Sequence, residues 1–318
     1  MNELRKDYIL DRWVIISLKR GKRPTDFTAK PEKIDEKTCF FCPGNEHMTP
    51  PEISRVEEGG KWTIRVFPNK FPAVMDEEGE EIKGLLSKKA AFGWHEVIAD
   101  TNDHAKTLSD MSKEHLVKVF GVYMERIKEL EERSNTKYVS VFKNHKKIAG
   151  ASLSHSHTQV ASVPIVPPLV QAEVDASKKY MGDHTSCPFC DIWRNETKSE
   201  RVIFEDEHTV AIAPYASRYN FEAWIMPKKH VGNFDQLKED EKLSFVSTLK
   251  KILVRLRDGL GDPGYNFYLH YTPEGEDLHF HLEFCPRIGT WAGFESSTDI
   301  IINIMPPELA AKFYRGEE

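Results

Sequence analysis

Residues 150–159 read Gly-Ala-Ser-Leu-Ser-His-Ser-His-Thr-Gln, with two histidines one residue apart and a glutamine two positions further on. Apolar residues follow, so the segment is predicted to form a strand. Side chains alternate between the two faces of a strand, which places His155, His157 and Gln159 on one face. Because buried polar groups need partners, this pattern favours a functional site. Histidines that are simply hydrogen-bonded within a sheet remain the alternative.

The composition limits the protein class. At 318 residues, the chain suits one large or two medium domains. A net charge of −6 argues against general affinity for nucleic acid, which depends on clustered Lys and Arg. No apolar run approaches the length of a membrane span, and the first residues lack the apolar segment of a signal peptide. We therefore expect a cytoplasmic protein without a membrane or nucleic-acid partner.

Four of the five cysteines form two Cys-x-x-Cys pairs, Cys39/Cys42 and Cys187/Cys190. In a reducing compartment such pairs indicate metal or redox chemistry. A redox pair usually opens a helix after a strand, whereas both pairs here are predicted to lie in turns, so metal is favoured. The fifth, Cys285, is expected to be a buried, inert thiol.

The two halves of the chain share one order of features: a Cys-x-x-Cys pair, strands, a histidine, a helix, a strand and a His-x-His pair. This order predicts a duplicated α+β fold with units at 1–165 and 166–318, joined near the prolines of 164–168. Apolar periodicity predicts helices over 112–133 and 239–256. Strands are predicted at 13–17, 62–67, 95–100, 138–142, 201–205, 209–213, 221–226 and 265–269. Residues 76–90 are expected to be an exposed loop.

A closed zinc site takes four Cys or His ligands. The repeat predicts about two zinc ions per chain, although exposed loop histidines remain an alternative for His104 and His230. The predicted ligands are Cys39, Cys42, His104 and His155 in the first half, and Cys187, Cys190, His230 and His279 in the second.

With His155 held by metal, its neighbour His157 is left free for chemistry and is the predicted nucleophile, since a neutral imidazole can form a covalent phospho-intermediate. Gln159 is predicted to hold a phosphoryl oxygen, and Ser152 with the Gly150 backbone to stabilise developing charge. The basic loop at 19–24 is either a surface loop or a phosphate clamp. Other histidines are expected to be surface or structural residues: His47, His95, His115, His145, His184 and His208.

The His-x-His-x-Gln motif resembles the signature of the nucleotidyltransferase branch of the histidine-triad superfamily, and specifically the galactose-1-phosphate uridylyltransferase family. Hydrolases of the superfamily end this motif with a third histidine, so Gln159 favours transfer over hydrolysis. The resemblance covers nearly the whole chain and implies histidine-triad-like units with largely antiparallel sheets flanked by helices. The matching segments are Arg20–Pro24, Cys39–Cys42, Val66–Phe71, His95–Ile98, Asp103–His104, Asn144, Gly150–Gln159 and His279–His281.

The resemblance implies a ping-pong reaction in a homodimer, with hexose contacts that cross the interface. His157 would attack the α-phosphorus of UDP-glucose and release glucose 1-phosphate, and galactose 1-phosphate would then take the uridylyl group. The residues implied around the substrates are Ser152, Gln159 and Asn144 at the nucleotide phosphates, Arg20 and Arg23 at the substrate phosphates, Phe40, Asn69 and Phe71 at the uridine, and Glu295 at the hexose.

The chain also departs from the family pattern. Ser156 and Thr158 replace a proline and a glycine, and Lys70 replaces an acidic residue near the ribose, so an adenylyltransferase using ADP-glucose is the alternative reaction. Better-known members place their second metal on residues matching Glu173, His270, His279 and His281. The Cys187/Cys190 pair resembles instead a branch similar to ADP-glucose phosphorylase. A non-catalytic, nucleotide-binding zinc protein is the remaining hypothesis.

Overall fold

A computed structural model of the protein describes residues 2–17 and 39–317. The basic loop with Arg20 and Arg23 lies outside the described residues, so the phosphate roles of these two arginines stay predictions. Within the described part of the chain, every helix is too short or too polar to cross a lipid bilayer.

The described residues form thirteen strands and six α-helices. The strands are β1 (Glu3–Lys6), β2 (Trp13–Ile16), β3 (Ser54–Glu58), β4 (Lys61–Pro68), β5 (His95–Ala99), β6 (Tyr138–His145), β7 (His157–Val163), β8 (Val202–Glu205), β9 (Thr209–Ile212), β10 (Ala223–Pro227), β11 (Tyr265–His270), β12 (His281–Pro286) and β13 (Ile301–Asn303). The helices are α1 (Lys113–Glu131), α2 (Pro168–His184), α3 (Pro188–Glu196), α4 (Glu239–Leu260), α5 (Gly293–Thr298) and α6 (Pro307–Arg315).

Ten strands form one antiparallel sheet in the order β3-β4-β5-β7-β6-β11-β12-β10-β9-β8. Each half of the chain supplies five of them, and the halves meet where β6 pairs with β11, from Tyr265 opposite His145 to Tyr268 opposite Phe142. A smaller sheet, β1-β2-β13, joins the first strands of the chain to its last strand. The α+β prediction with large antiparallel sheets is therefore confirmed.

Two long helices pack together over this sheet, as their apolar periodicity predicts. Helix α1 begins after Ser112, whose hydroxyl accepts a hydrogen bond from the His115 backbone N–H at 3.1 Å and so caps the helix. Phe120 of α1 contacts Phe245 of α4, with ring centroids 6.0 Å apart. The buried apolar faces of the two helices pack with both halves of the sheet in one common hydrophobic core.

Helix α2 was not predicted; it begins at Pro168, the last of the prolines of the predicted joint, because proline is well tolerated in the first turn of a helix. Two local predictions were wrong. The second cysteine pair opens helix α3, with Cys187 as its N-cap, whereas the prediction was a turn. Strand β7 begins at His157, so His155 lies just before the strand and not within it.

Candidate active site and metal centres

His157 is the first residue of β7, between β5 and β6 in the centre of the first half. Its ring lies edge-on to Phe41, with centroids 5.4 Å apart, and only 6 % of the residue is exposed. Its Nδ1 lies 2.8 Å from the backbone oxygen of His155. Since a carbonyl oxygen only accepts, Nδ1 must carry the proton, which leaves the lone pair of Nε2 available for attack.

Burial and the nearby Lys143 ammonium lower the pKa of His157 to about 4. The buried Lys143 donates from Nζ to the Asp100 carboxylate at 2.6 Å and to the His157 backbone oxygen at 2.8 Å. A third bond from the same Nζ reaches the Ser156 hydroxyl at 3.0 Å. His157 is therefore neutral at neutral pH, which is the form that a nucleophile requires.

A cavity of about 440 Å³ opens beside His157. Its lining combines apolar residues, among them Met48, Pro50 and Phe67, with polar ones. Such a mixed lining suits a ligand with both an apolar and a polar portion. Six predicted site residues line this cavity together: His157, Gln159, Ser152, Phe40, Asn69 and Phe71.

Three other predicted substrate residues are not among those that line the cavity. Asn144 and Gly150 are neighbours, since a Cβ on Gly150 would lie 3.6 Å from the Asn144 Nδ2. Gly150 has a φ of +93°, in the left-handed region that favours glycine. Glu295 lies on α5, where its carboxylate accepts the Ala292 backbone N–H at 2.9 Å. The roles of these three residues stay predictions.

Sequence reasoning missed three polar residues that support the site. His95, expected to be a surface or structural residue, lies with its Nε2 3.0 Å from Oε1 of the predicted catalytic Gln159. The buried Lys143 and Asp100 hold the backbone around His157. These contacts join β5, β6 and β7, so only the strand order and register could have revealed them.

The first predicted metal set is brought together beside this cavity. The ligand atoms of Cys39, Cys42, His104 and His155 all lie within 4.8 Å of one another. Measured sulfur-to-Nδ1 distances are 3.2 Å for Cys42–His104 and 3.6 Å for Cys42–His155. Tetrahedral zinc would hold such atoms about 3.5 Å apart. The His155 Nε2 lies 2.7 Å from the Thr101 carbonyl oxygen, a typical contact for a histidine that binds metal through Nδ1.

The second predicted set repeats this arrangement. Cys187, Cys190, His230 and His279 also lie with their ligand atoms within 4.8 Å of one another. The Cys190 sulfur is 3.5 Å from the His279 Nδ1, whose ring donates from Nε2 to the Pro227 carbonyl oxygen at 2.8 Å. Both sets therefore fit a closed zinc site in donor type and spacing.

A third group consists of the buried residues Glu173, His270, His281 and Glu283. Three of these residues, Glu173, His270 and His281, belong to the alternative metal arrangement. Its fourth predicted ligand, His279, lies instead with Cys187 and Cys190, and Glu283 is the fourth member of this group. The His270 Nδ1 lies 2.7 Å from a Glu173 carboxylate oxygen. The two arrangements therefore do not compete for His279.

The sequence is similar to known proteins over almost its whole length. It is 35% identical to ADP-glucose phosphorylase from Arabidopsis thaliana, over 98% of this chain and 92% of that protein. It is 29% identical to the galactose-1-phosphate uridylyltransferase of Thermotoga maritima, over 100% of this chain and 99% of that protein. A domain of unknown function (DUF4921) also matches residues 94–314.

Solved structures show the same similarity. The crystal structure of the Arabidopsis thaliana ADP-glucose phosphorylase with bound ADP-glucose has a TM-score of 0.84 at 33% identity and covers 99% of both chains. A uridylyltransferase structure has a TM-score of 0.76 at 26% identity and covers 99% of this chain and 98% of that one. The profile of the galactose-1-phosphate uridyl transferase N-terminal domain matches residues 1–167. The chain therefore belongs to the galactose-1-phosphate uridylyltransferase family.

Proposed function

We propose that the protein transfers a nucleotidyl group from a nucleotide sugar to a phosphate-bearing acceptor through a covalent bond to His157. The observation that carries this proposal is a buried, neutral imidazole with its proton on Nδ1, next to a cavity lined by both apolar and polar residues. In the first step, Nε2 bonds to the α-phosphorus, the bond to the bridging oxygen breaks, and hexose 1-phosphate leaves. In the second step, an acceptor phosphate oxygen takes the nucleotidyl group and frees His157.

The surroundings of His157 suit the charge changes of these steps. Bonding at Nε2 makes the imidazole cationic, and the hydrogen bond from Nδ1 to the His155 carbonyl becomes stronger as that charge develops. Ser152 and Gln159 line the same cavity as His157, where their hydroxyl and amide groups can donate to phosphoryl oxygens. Zinc, when bound by the first set, would hold His155 and therefore this carbonyl in place.

Two reactions fit this site. The greater similarity to an ADP-glucose phosphorylase, in both sequence and structure, supports ADP-glucose as the donor and phosphate as the acceptor. The family profile and the uridylyltransferase relatives support the second candidate, which is transfer from UDP-glucose to galactose 1-phosphate. We favour the adenylyl reaction because the Cys187/Cys190 pair also resembles the branch similar to ADP-glucose phosphorylase.

The test is intact mass spectrometry after incubation with ADP-glucose or UDP-glucose without an acceptor. We expect the wild type to gain the mass of one nucleotidyl group, and His157→Asn to gain none. His184→Asn, at an exposed histidine on α2, is the matched control and should label like the wild type. An adduct from UDP-glucose alone would reverse the choice of donor, and no adduct from either would contradict covalent catalysis.

We also infer a homodimer from the family resemblance, with Glu295 acting across the interface. Sedimentation of the purified protein as a monomer at micromolar concentration would contradict this inference. The same resemblance and the two Cys2His2 sets support about two zinc ions per chain as cofactors.

A further inference from the structure

The side chain of Gln159 is held at one end by two neighbours. The His95 Nε2 lies 3.0 Å from the Gln159 Oε1, and the Asn69 Nδ2 lies 3.4 Å from the same oxygen. Within the described part of the chain, no partner is found for the amide nitrogen of Gln159. Because Gln159 lines the cavity beside His157, the orientation of its amide decides which atom the substrate meets.

The chemistry of the backbone fixes the direction of both contacts. The Ala73 N–H lies 3.1 Å from the His95 Nδ1, and since a backbone N–H can only donate, Nδ1 must accept. Burial lowers the pKa of His95, so the ring is neutral and its single proton is on Nε2. In the same way, the Phe71 N–H donates to the Asn69 Oδ1 at 2.9 Å, which leaves Nδ2 as the donor. The Asn69 Nδ2 also lies 3.3 Å from the His95 Nε2, but with Nδ1 accepting from Ala73 both nitrogens carry hydrogen, so this approach is not a hydrogen bond.

Two donors therefore converge on the oxygen of Gln159 and turn its amide nitrogen towards the cavity. An amide NH2 group offers two hydrogen atoms to a phosphoryl oxygen, whereas a flipped amide would present its own oxygen to an anion. We propose that His95 is a positioning residue that holds Gln159 in the donating orientation. This inference rests on the proposed nucleotidyl transfer and adds a residue to that site.

The experiment compares two substitutions of His95 in single-turnover adduct formation at saturating nucleotide sugar. His95→Phe keeps a flat ring but loses the donor, and we expect it to slow adduct formation about tenfold with little change in nucleotide-sugar affinity. His95→Gln can place an amide N–H near the position of Nε2, and its rate should stay within about threefold of the wild type. Equal rates for His95→Phe and the wild type would overturn the proposal.

A double-substitution cycle separates positioning from a general structural role. Gln159→Leu should slow adduct formation about a hundredfold, as expected for the loss of one donor to developing charge. Adding His95→Phe to Gln159→Leu should cause no further loss, because the group that His95 orients is already gone. A further tenfold loss in the double variant would show that His95 acts independently of Gln159 and would overturn the proposal.

A readout without turnover distinguishes this inference from the proposed function. Long-range nitrogen–proton NMR correlations report which ring nitrogen of a histidine carries the proton, and the spectrum of His95→Gln assigns the signal. We expect the Nε2-protonated tautomer at neutral pH, and the Nδ1-protonated tautomer would overturn the inference even if the enzyme is active. Failure of the wild type to form any adduct would overturn the proposed function, whatever the tautomer. If His95→Phe does not fold, the tautomer of the wild type and the rate of adduct formation by His95→Gln still test the proposal.

Discussion

The backbone of His157, the proposed nucleophile, is supported by a buried ion pair between Lys143 and Asp100. Neither side chain is more than 1 % exposed, and the ammonium and carboxylate lie 2.6 Å apart. The Asp100 carboxylate also accepts from Tyr123 and Thr158, each at 3.0 Å. Within this network, the loss of one charged partner would leave the other charge buried without its counterion.

We therefore predict that Lys143→Met destabilises the protein by about 3–5 kcal/mol, since the Asp100 carboxylate would remain buried. Adding Asp100→Asn should recover part of this loss, because the neutral amide removes the unpaired charge. The free energies of unfolding of the two variants and the wild type, from denaturant titration, provide the measurement. A single variant within about 1 kcal/mol of the wild type would show that the pair contributes little.

At the scale of residues, the sequence singled out the proposed nucleophile and metal ligands that the structure brings together, but not the residues that support them. The His-x-His-x-Gln and Cys-x-x-Cys patterns mark His157 and the metal sets by spacing alone. Lys143, Asp100 and His95 carry no such local pattern, because each contacts the site through a different strand. Their roles depend on the register of β5 and β6 against β7, and a single sequence does not supply that register.

At the scale of elements, apolar periodicity predicted α1 and α4 well because their buried faces repeat over many turns. Helix α2 was missed, because the prolines at its start predicted a joint between the two units. The strand that contains His157 was predicted from residue 150, seven residues before β7 begins. His155 instead lies before β7, where its ring contacts the cysteines and its carbonyl oxygen accepts from His157.

The end of β6 leads into the loop before His157, the proposed nucleophile. This end is contacted by Asp262, which lies in the turn after α4. Its carboxylate lies 3.1 Å from the His145 Nε2 and 2.8 Å from the Lys146 Nζ. Burial alone would raise the pKa of Asp262, but its hydrogen bonds and charge interactions with His145 and Lys146 outweigh burial and lower this pKa to about 2. A lowered carboxyl pKa means that the contact stabilises the fold above the unfolded value of about 3.9.

We predict that Asp262→Asn lowers the free energy of unfolding at pH 7 by about 1–2 kcal/mol, a value reduced for partial exposure of the carboxylate. The difference from the wild type should shrink as the pH falls from 4 towards 2, because the wild-type carboxyl is then protonated too. Urea titrations of both proteins across this pH range would measure it. A difference that stays constant with pH would mean that the ionised carboxylate is not the source of the stability.

At the scale of the whole molecule, the two halves share one sheet and one core. Strand β6 pairs with β11 at the centre of the ten strands, and Phe120 of α1 lies in ring contact with Phe234 and Phe245 of the second half. The first strands of the chain also pair with β13 near its end. The boundary at residue 165, predicted from the repeat and the nearby prolines, stays a prediction, and from these contacts we expect the two units to unfold together.

Loss of zinc from either Cys2His2 set should therefore lower the stability of the whole protein. We predict that Cys39→Ser and Cys187→Ser each lose about one of two zinc ions by elemental analysis and lower the melting temperature of one shared transition by about 5–10 °C, since structural zinc contributes folding free energy. Cys285→Ala, at a buried cysteine outside both sets, is the control and should keep both zinc ions.

Hydrogen exchange followed by mass spectrometry should show peptides of both halves losing protection together in each serine variant, because the pairing of β6 with β11 couples the two halves. If only the half that carries the substitution lost protection, the chain would consist of two independent folding units.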